Sequence, residues 1–258
     1  VNKKPFCYFA VGDGPTAVRH LVGLRALVSY AYVTGTDNWI KPKQLTELAQ
    51  VTAGIMIDSG AFTVWKKGIA VSLDQYLGWL STEAPAFEWA LGLDVIGDAA
   101  ASLKNYELAR AKEPRIVPVW HEGDPLEHLE HYCETSRLVA LGRVEARDSE
   151  QKTFAFYDSA FNAQPDAEFH ALGNGSPPTL EPYPFYSFDS TGWQRDSVYT
   201  EAARWPLCRA SKDTRRRVYI EAMSSIEHVP RKQDELFGWK PQVAKNDRRA
   251  PEMPREKP

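Results

Sequence analysis

Three aspartates and a histidine stand directly after short apolar runs in this 258-residue chain: Asp58 in IMIDSG, Asp94 in LGLDVIGD, His121 with Glu122 in PVWHEGD, and Asp189 in FYSFDSTGW. Gly142 in ALGRVE and Gly173 in HALGNG hold the same place relative to two further runs. Several carboxylates around one concave site suit reactions at a glycosidic carbon, where one group attacks or stabilises an oxocarbenium-like centre and another moves protons. Close like charges raise the pKa of one member and so separate the acid from the base. Each residue alone also has an ordinary use. Asp58-Ser59-Gly60 reads as a turn, Asp94 or Asp98 as the cap of a helix opening near Ala99, His121 as a satisfied loop residue, and the two glycines as sites of positive φ. Recurrence of a polar residue or glycine at one strand-end position, unit after unit, is what these separate uses leave unexplained.

The elements that must position these residues are legible as alternating periods. Apolar runs mark strands at Pro5–Val11, Leu27–Val33, Gly54–Ile57, Trp89–Leu93, Ile116–Trp120, Leu138–Leu141, Glu168–Leu172 and Phe185–Phe188. Between them lie helical stripes. Leu73, Tyr76, Leu77 and Leu80 follow the N-cap candidate Ser72, Leu126, Leu129, Tyr132 and Cys133 follow Asp124-Pro125, and Phe154, Tyr157 and Phe161 follow Ser149. Strand and helix in alternation imply parallel pairing with right-handed crossovers. Eight such units predict a (β/α)8 barrel over residues 1–205, with a doubly wound open sheet as the competing arrangement. Residues 206–258 break the rhythm with repeated prolines and read as a basic C-terminal extension.

Composition narrows the function classes. The net charge of −3 does not suit a nucleic-acid coat protein, yet residues 211–258 carry a balance of +4 against −7 for the remainder. Arg215, Arg216 and Arg217 in that segment are candidates for phosphate contacts, beside the alternative of a solvated terminus. Cys7, Cys133 and Cys208 lie far apart and form no CxxC pair, which fits a reducing cytoplasm. The sequence has no apolar segment of membrane-spanning length and no HxH or HExxH, and neither a phosphate-cradling GxxxxGK[ST] nor a GxSxG turn occurs. No membrane association, metal or cofactor is expected.

DSGAFT (58–63), GLDVIGD (92–98), PVWHEG (118–123), ALGRVE (140–145) and FDSTGW (188–193), in this order on these strands, resemble the tRNA-guanine transglycosylase superfamily. The likeness spans about residues 5–205 and is nearest to the phage and bacterial branch that inserts 7-deazaguanine bases into DNA, a modification associated with restriction evasion. By position, the resemblance implies that Asp189 is the nucleophile attacking C1′ of the target deoxyguanosine and that Asp58 is the general base for the incoming base. It implies that Asp94 and His121 read the purine-like edge, that the Gly142 segment binds the heterocycle, and that Ser59 and Phe62 shape the pocket, with Arg143 and Gly173 among the substrate-binding residues. The target nucleotide would have to be flipped or melted out of a duplex. His121 replaces a glutamine common in the family, Arg143 replaces a second glycine of the tRNA enzymes, and their zinc-binding cysteine insertion is absent. The substrate implied is therefore DNA, with RNA as the alternative, and the basic extension or a partner protein would supply further contacts. A hydrolytic glycosidase using the same carboxylates and a non-catalytic deazapurine- or nucleic-acid-binding barrel are the other readings. Trp39, Trp65 and Trp120 are candidates for stacking on a flipped base, beside a core role.

Overall fold

The computed structural model describes residues 5–12, 14–34, 40–67, 71–143, 150–191, 193 and 220. Its parallel strands are β1 (Phe6–Val11), β2 (Arg25–Ser29), β3 (Gly54–Asp58), β4 (Trp89–Leu91), β5 (Ile116–Val117), β6 (Val119–His121), β7 (Leu138–Gly142), β8 (Glu168–Ala171) and β9 (Ser187–Ser190). The ladder runs β5-β4-β3-β2-β1-β9-β8-β7-β6. Its two ends are one stretch of chain. The Val117 carbonyl accepts from Gly92 N at 2.8 Å on the β4 side, and the Pro118 carbonyl accepts from Ala140 N at 2.9 Å on the β7 side. Successive carbonyls of an extended chain point to opposite neighbours, so this stretch serves both edges and closes an eight-membered (β/α)8 barrel. Pro118 divides β5 from β6 because it has no N–H to give the ladder. Neighbours follow chain order without a reversal, which rules out the doubly wound sheet.

Helices between the strands are α1 (Gly14–His20), α2 (Tyr30–Thr34), α3 (Pro42–Val51), α4 (Ala61–Lys67), α5 (Leu73–Thr82), α6 (Ala99–Arg110), α7 (Leu126–Thr135), α8 (Glu150–Ala163) and α9 (Pro177–Leu180). None among the described residues is long and apolar enough to cross a membrane. Ser72 caps α5, its Oγ accepting from Gln75 N at 3.5 Å, and Asp98 caps α6, accepting from Ala101 N at 2.9 Å. Asp98 therefore serves as the cap, which leaves Asp94 for other work.

Strand boundaries differ from those read in the sequence, most of all at the second and the last strand. The second strand ends at Ser29 because Tyr30–Thr34 coils into α2, where Tyr30 packs against Tyr76 and Trp79 of α5. The last strand is shifted toward the C-terminus, because Phe185 leaves the ladder to pack edge-on against Tyr157 and Phe161 of α8. Asp189 consequently lies within β9 and not beyond it. Trp120 is core, stacked on Phe156 and donating its indole N–H to the Pro125 carbonyl. Trp39, the extension over 206–258 apart from residue 220, and with it Arg215, Arg216 and Arg217, fall outside the described residues.

Strand parity sorts side chains between two cores. One set, including Phe9, Val28, Ile57, Leu141, Phe169 and Phe188, packs beneath the helices. The other, including Tyr8, Leu27, Met56, Leu91, Val117, Leu138 and Ala140, fills the barrel axis. At the N-terminal end of that axis, Glu88 accepts from Tyr8 Oη at 2.7 Å and from Arg25 Nε at 3.2 Å, which closes the floor with a satisfied polar group. A filled axis leaves the opposite, C-terminal mouth as the place for a site. Met56 is fully buried in the axial layer, so Met56→Ala is expected to lower the unfolding free energy in denaturant titration by about 3 kcal/mol.

Candidate active site

Asp58 ends β3 and the turn after it is built for close approach. Gly60 has φ +79°, and a side chain there would press to 2.6 Å from the Ala31 Cβ. Ser59 is buried, and its Oγ accepts from Ala61 N at 3.4 Å as α4 begins. The Asp58 carboxyl is pushed from an ordinary 3.8 up to about 6. Burial is the main cause. The Ser29 hydroxyl, which faces it short of a well-formed hydrogen bond, and the Gly60 amide oppose the rise, while the negative charges of Asp189 and Asp94 add to it. Asp58 ends β3, Asp94 follows β4 and Asp189 lies late in β9, so all three belong to the C-terminal mouth of the barrel.

Next to Asp58 on the rim, the loop after β4, the strand paired with β3, carries Asp94 toward the end of β6. His121 Nε2 lies 2.8 Å from Asp94 Oδ2, both side chains nearly buried, and the His121 backbone N–H donates to Asp124 Oδ2 at 3.0 Å. Burial works against charging the imidazole, but the Asp94 carboxylate outweighs it and holds His121 above its ordinary value. Gly142 stands in register with His121, and a side chain at Gly142 would sit 2.7 Å from the ring Cε1. Its role is to leave room for the imidazole, which requires no positive φ.

The third carboxylate is held from two directions. Asp189 Oδ1 accepts from Gly173 N at 2.5 Å and lies 3.2 Å from His170 Nε2, while His170 Nδ1 lies 2.8 Å from Ser187 Oγ. Asp189 is 3% exposed and His170 and Ser187 are fully buried, so this chain of groups runs inside the barrel wall. Asp189 Oδ2 makes no hydrogen bond among the described residues. Gly173 has φ +67°, which turns its amide toward the carboxylate. It therefore supports Asp189, where the resemblance had placed it against the substrate.

Arg143 is also differently employed from the expectation. Its side chain is 4% exposed, with Nε donating to Glu122 Oε2 at 2.8 Å and Nη1 bonded to the Thr153 hydroxyl, so it ties the loop after β6 to α8. Its Nη2 is buried without a partner among the described residues. Phe62 and Trp65 on α4 are about half exposed with centroids 6.0 Å apart, and Lys66 Nζ lies 4.5 Å above the Phe62 ring. No group of three His, Cys, Asp or Glu side chains among the described residues could hold a metal ion.

His170 and Ser187 are the members of this cluster that strand-end reading passes over. The available signal was parity: in EFHA, Glu168 and His170 share one face of β8 while Phe169 and Ala171 share the other, which puts an imidazole on the barrel axis.

No protein-family model and no curated protein sequence matches this chain. Solved structures do. A Coccidioides immitis protein assigned as a fructose-1,6-biphosphate aldolase superposes with a TM-score of 0.56 at 10% identity, over 88% of this chain and 90% of that one. A mutant tryptophan synthase alpha-subunit from Pyrococcus furiosus gives 0.56 at 11% identity, over 88% and 98%. The YdjI aldolase of Escherichia coli K12 gives 0.55 at 10% identity, over 87% and 91%. Likeness at this identity establishes the barrel fold alone.

A carboxyl raised by burial must weaken the fold once it ionises. The folded chain binds the Asp58 proton more tightly than the unfolded chain, so this contribution is present below pH 3.8 and is lost as pH rises through about 6. Asp58→Asn removes the penalty. In urea titrations the variant is expected to match wild type near pH 4 and to exceed it by up to about 3 kcal/mol above pH 7.

Proposed function

We propose that this protein is a base-exchange transglycosylase that replaces guanine in DNA with a 7-deazaguanine derivative, such as the 7-cyano form, through a covalent aspartyl-glycosyl intermediate. The observation that carries this reading is the division among three carboxylates in one mouth. Asp94 is matched by an imidazole, Asp189 is held by an amide and a second imidazole with one oxygen unengaged, and Asp58 is poised near 6. One carboxylate with an unengaged oxygen and a second carboxyl that trades its proton near 6 are what attack at an anomeric carbon and proton transfer together demand.

In the first half-reaction, Asp189 Oδ2 forms a bond to C1′ while the C1′–N9 bond breaks, and guanine leaves with the electron pair and takes the Asp58 proton. In the second, the Asp58 carboxylate removes the N9 proton of the incoming base, N9 bonds to C1′, and the Asp189 carboxylate is released. A group near 6 can serve in both directions close to neutral pH. The Asp94–His121 pair offers donors and acceptors to the Watson–Crick edge of either base, with the Gly142 backbone alongside. The exposed Phe62–Trp65 pair with Lys66 suits stacking on unpaired bases beside the flipped nucleotide.

The aldolases that share the fold do not direct the reading elsewhere. Among the described residues, none of the nine strands carries a lysine, the amine that Schiff-base chemistry at a barrel mouth would use. Mixing the full chain with guanine-containing single-stranded DNA and quenching in denaturant is expected to yield a covalent protein–DNA adduct by intact mass. In Asp189→Asn the adduct and all base exchange should vanish; wild-type exchange by that variant removes the nucleophile assignment.

A further inference from the structure

The geometry points to His170 as a positioning residue that, with Ser187, aims Asp189 at the substrate; the inference rests on the reading of Asp189 as nucleophile. β8 and β9 are paired with His170 in register with Ser187, and Asp189 follows two positions later on the same face. The three side chains therefore line up along the barrel axis. The imidazole bridges them, with Nδ1 2.8 Å from Ser187 Oγ and Nε2 3.2 Å from Asp189 Oδ1. Tyr8 closes the ring edge-on at 6.0 Å, and no part of the imidazole reaches solvent.

The direction of these bonds follows from what each group can do. An ionised carboxylate only accepts, so the proton between His170 and Asp189 belongs to Nε2. In the neutral imidazole Nδ1 is then bare and accepts the Ser187 hydroxyl proton, which fixes the tautomer. The Gly173 amide and the His170 N–H both converge on Oδ1. Their convergence locks the rotation of the carboxyl group and leaves Oδ2 as the attacking atom. Attack at C1′ needs that oxygen at near-contact distance and in line with the departing base, and a displacement near 1 Å can cost about 100-fold.

Two substitutions separate positioning from packing. In His170→Gln the amide nitrogen reaches the place of Nε2, whereas in His170→Asn it reaches only that of Nδ1. Adduct formation by the full chain is expected to fall about 100-fold in His170→Asn, with KM for DNA within about twofold, and to stay within about tenfold of wild type in His170→Gln. Equal losses in both variants, or wild-type rates in both, overturn the proposal. If wild type itself forms no adduct, the transglycosylase reading fails separately, and nitrogen-15 spectra of the wild-type chain then decide the role of His170. A bare Nδ1 with a protonated Nε2, redistributing in Asp189→Ala, upholds the aimed carboxylate. An unprotonated Nε2 facing Asp189 would turn a lone pair on the carboxylate and refute it, whether or not any variant folds.

Discussion

Three carboxylates share one buried mouth, and every other feature of the site answers the repulsion this creates. Burial and like charge each oppose ionisation, so the groups cannot all be treated alike. Asp94 is answered by His121 at 2.8 Å, Asp189 by the Gly173 amide and His170, and Asp58 by keeping its proton up to about 6. The different answers come from different strands. A barrel achieves this because its eight strand ends meet at one rim although the residues are far apart in sequence.

The rest of the fold serves that rim. An axis packed with Tyr8, Leu27, Met56, Leu91 and Val117 gives the mouth a dry floor, and the Glu88–Tyr8–Arg25 cluster satisfies the polar groups at the other end. Glycines are placed where a side chain would collide: Gly60 against Ala31 and Gly142 against the His121 ring. Arg143 braces the rim by tying the loop after β6 to α8 through Glu122 and Thr153. At Asp58, burial is what holds the carboxyl proton up to about 6.

The barrel was legible because each strand is a short apolar run and each helix keeps its own period. So were the strand-end places of Asp58 and His121, since a polar residue ending an apolar run is conspicuous in one dimension. What escaped was anything set by the third dimension. His170 sits inside a strand, and only the pairing of β8 with β9 brings it to Asp189. Gly173 and Arg143 follow their strands as a substrate contact would, but the direction in which the loops turn sends one amide to Asp189 and one guanidinium to Glu122. The end of the second strand was misjudged because Tyr30 answers to the aromatic rings of α5, which local sequence does not reveal.

Base exchange has a stoichiometry that neither hydrolysis nor simple binding shares. The direct measurement is a mass balance on guanine-containing DNA incubated with the full chain and an isotope-labelled 7-cyano-7-deazaguanine. Label entering the DNA mole for mole with guanine released, with no abasic sites, is the outcome that follows from Asp189 and Asp58 acting as nucleophile and base. Guanine released into solution with abasic sites left behind, or labelled base bound with the DNA unchanged, would contradict it.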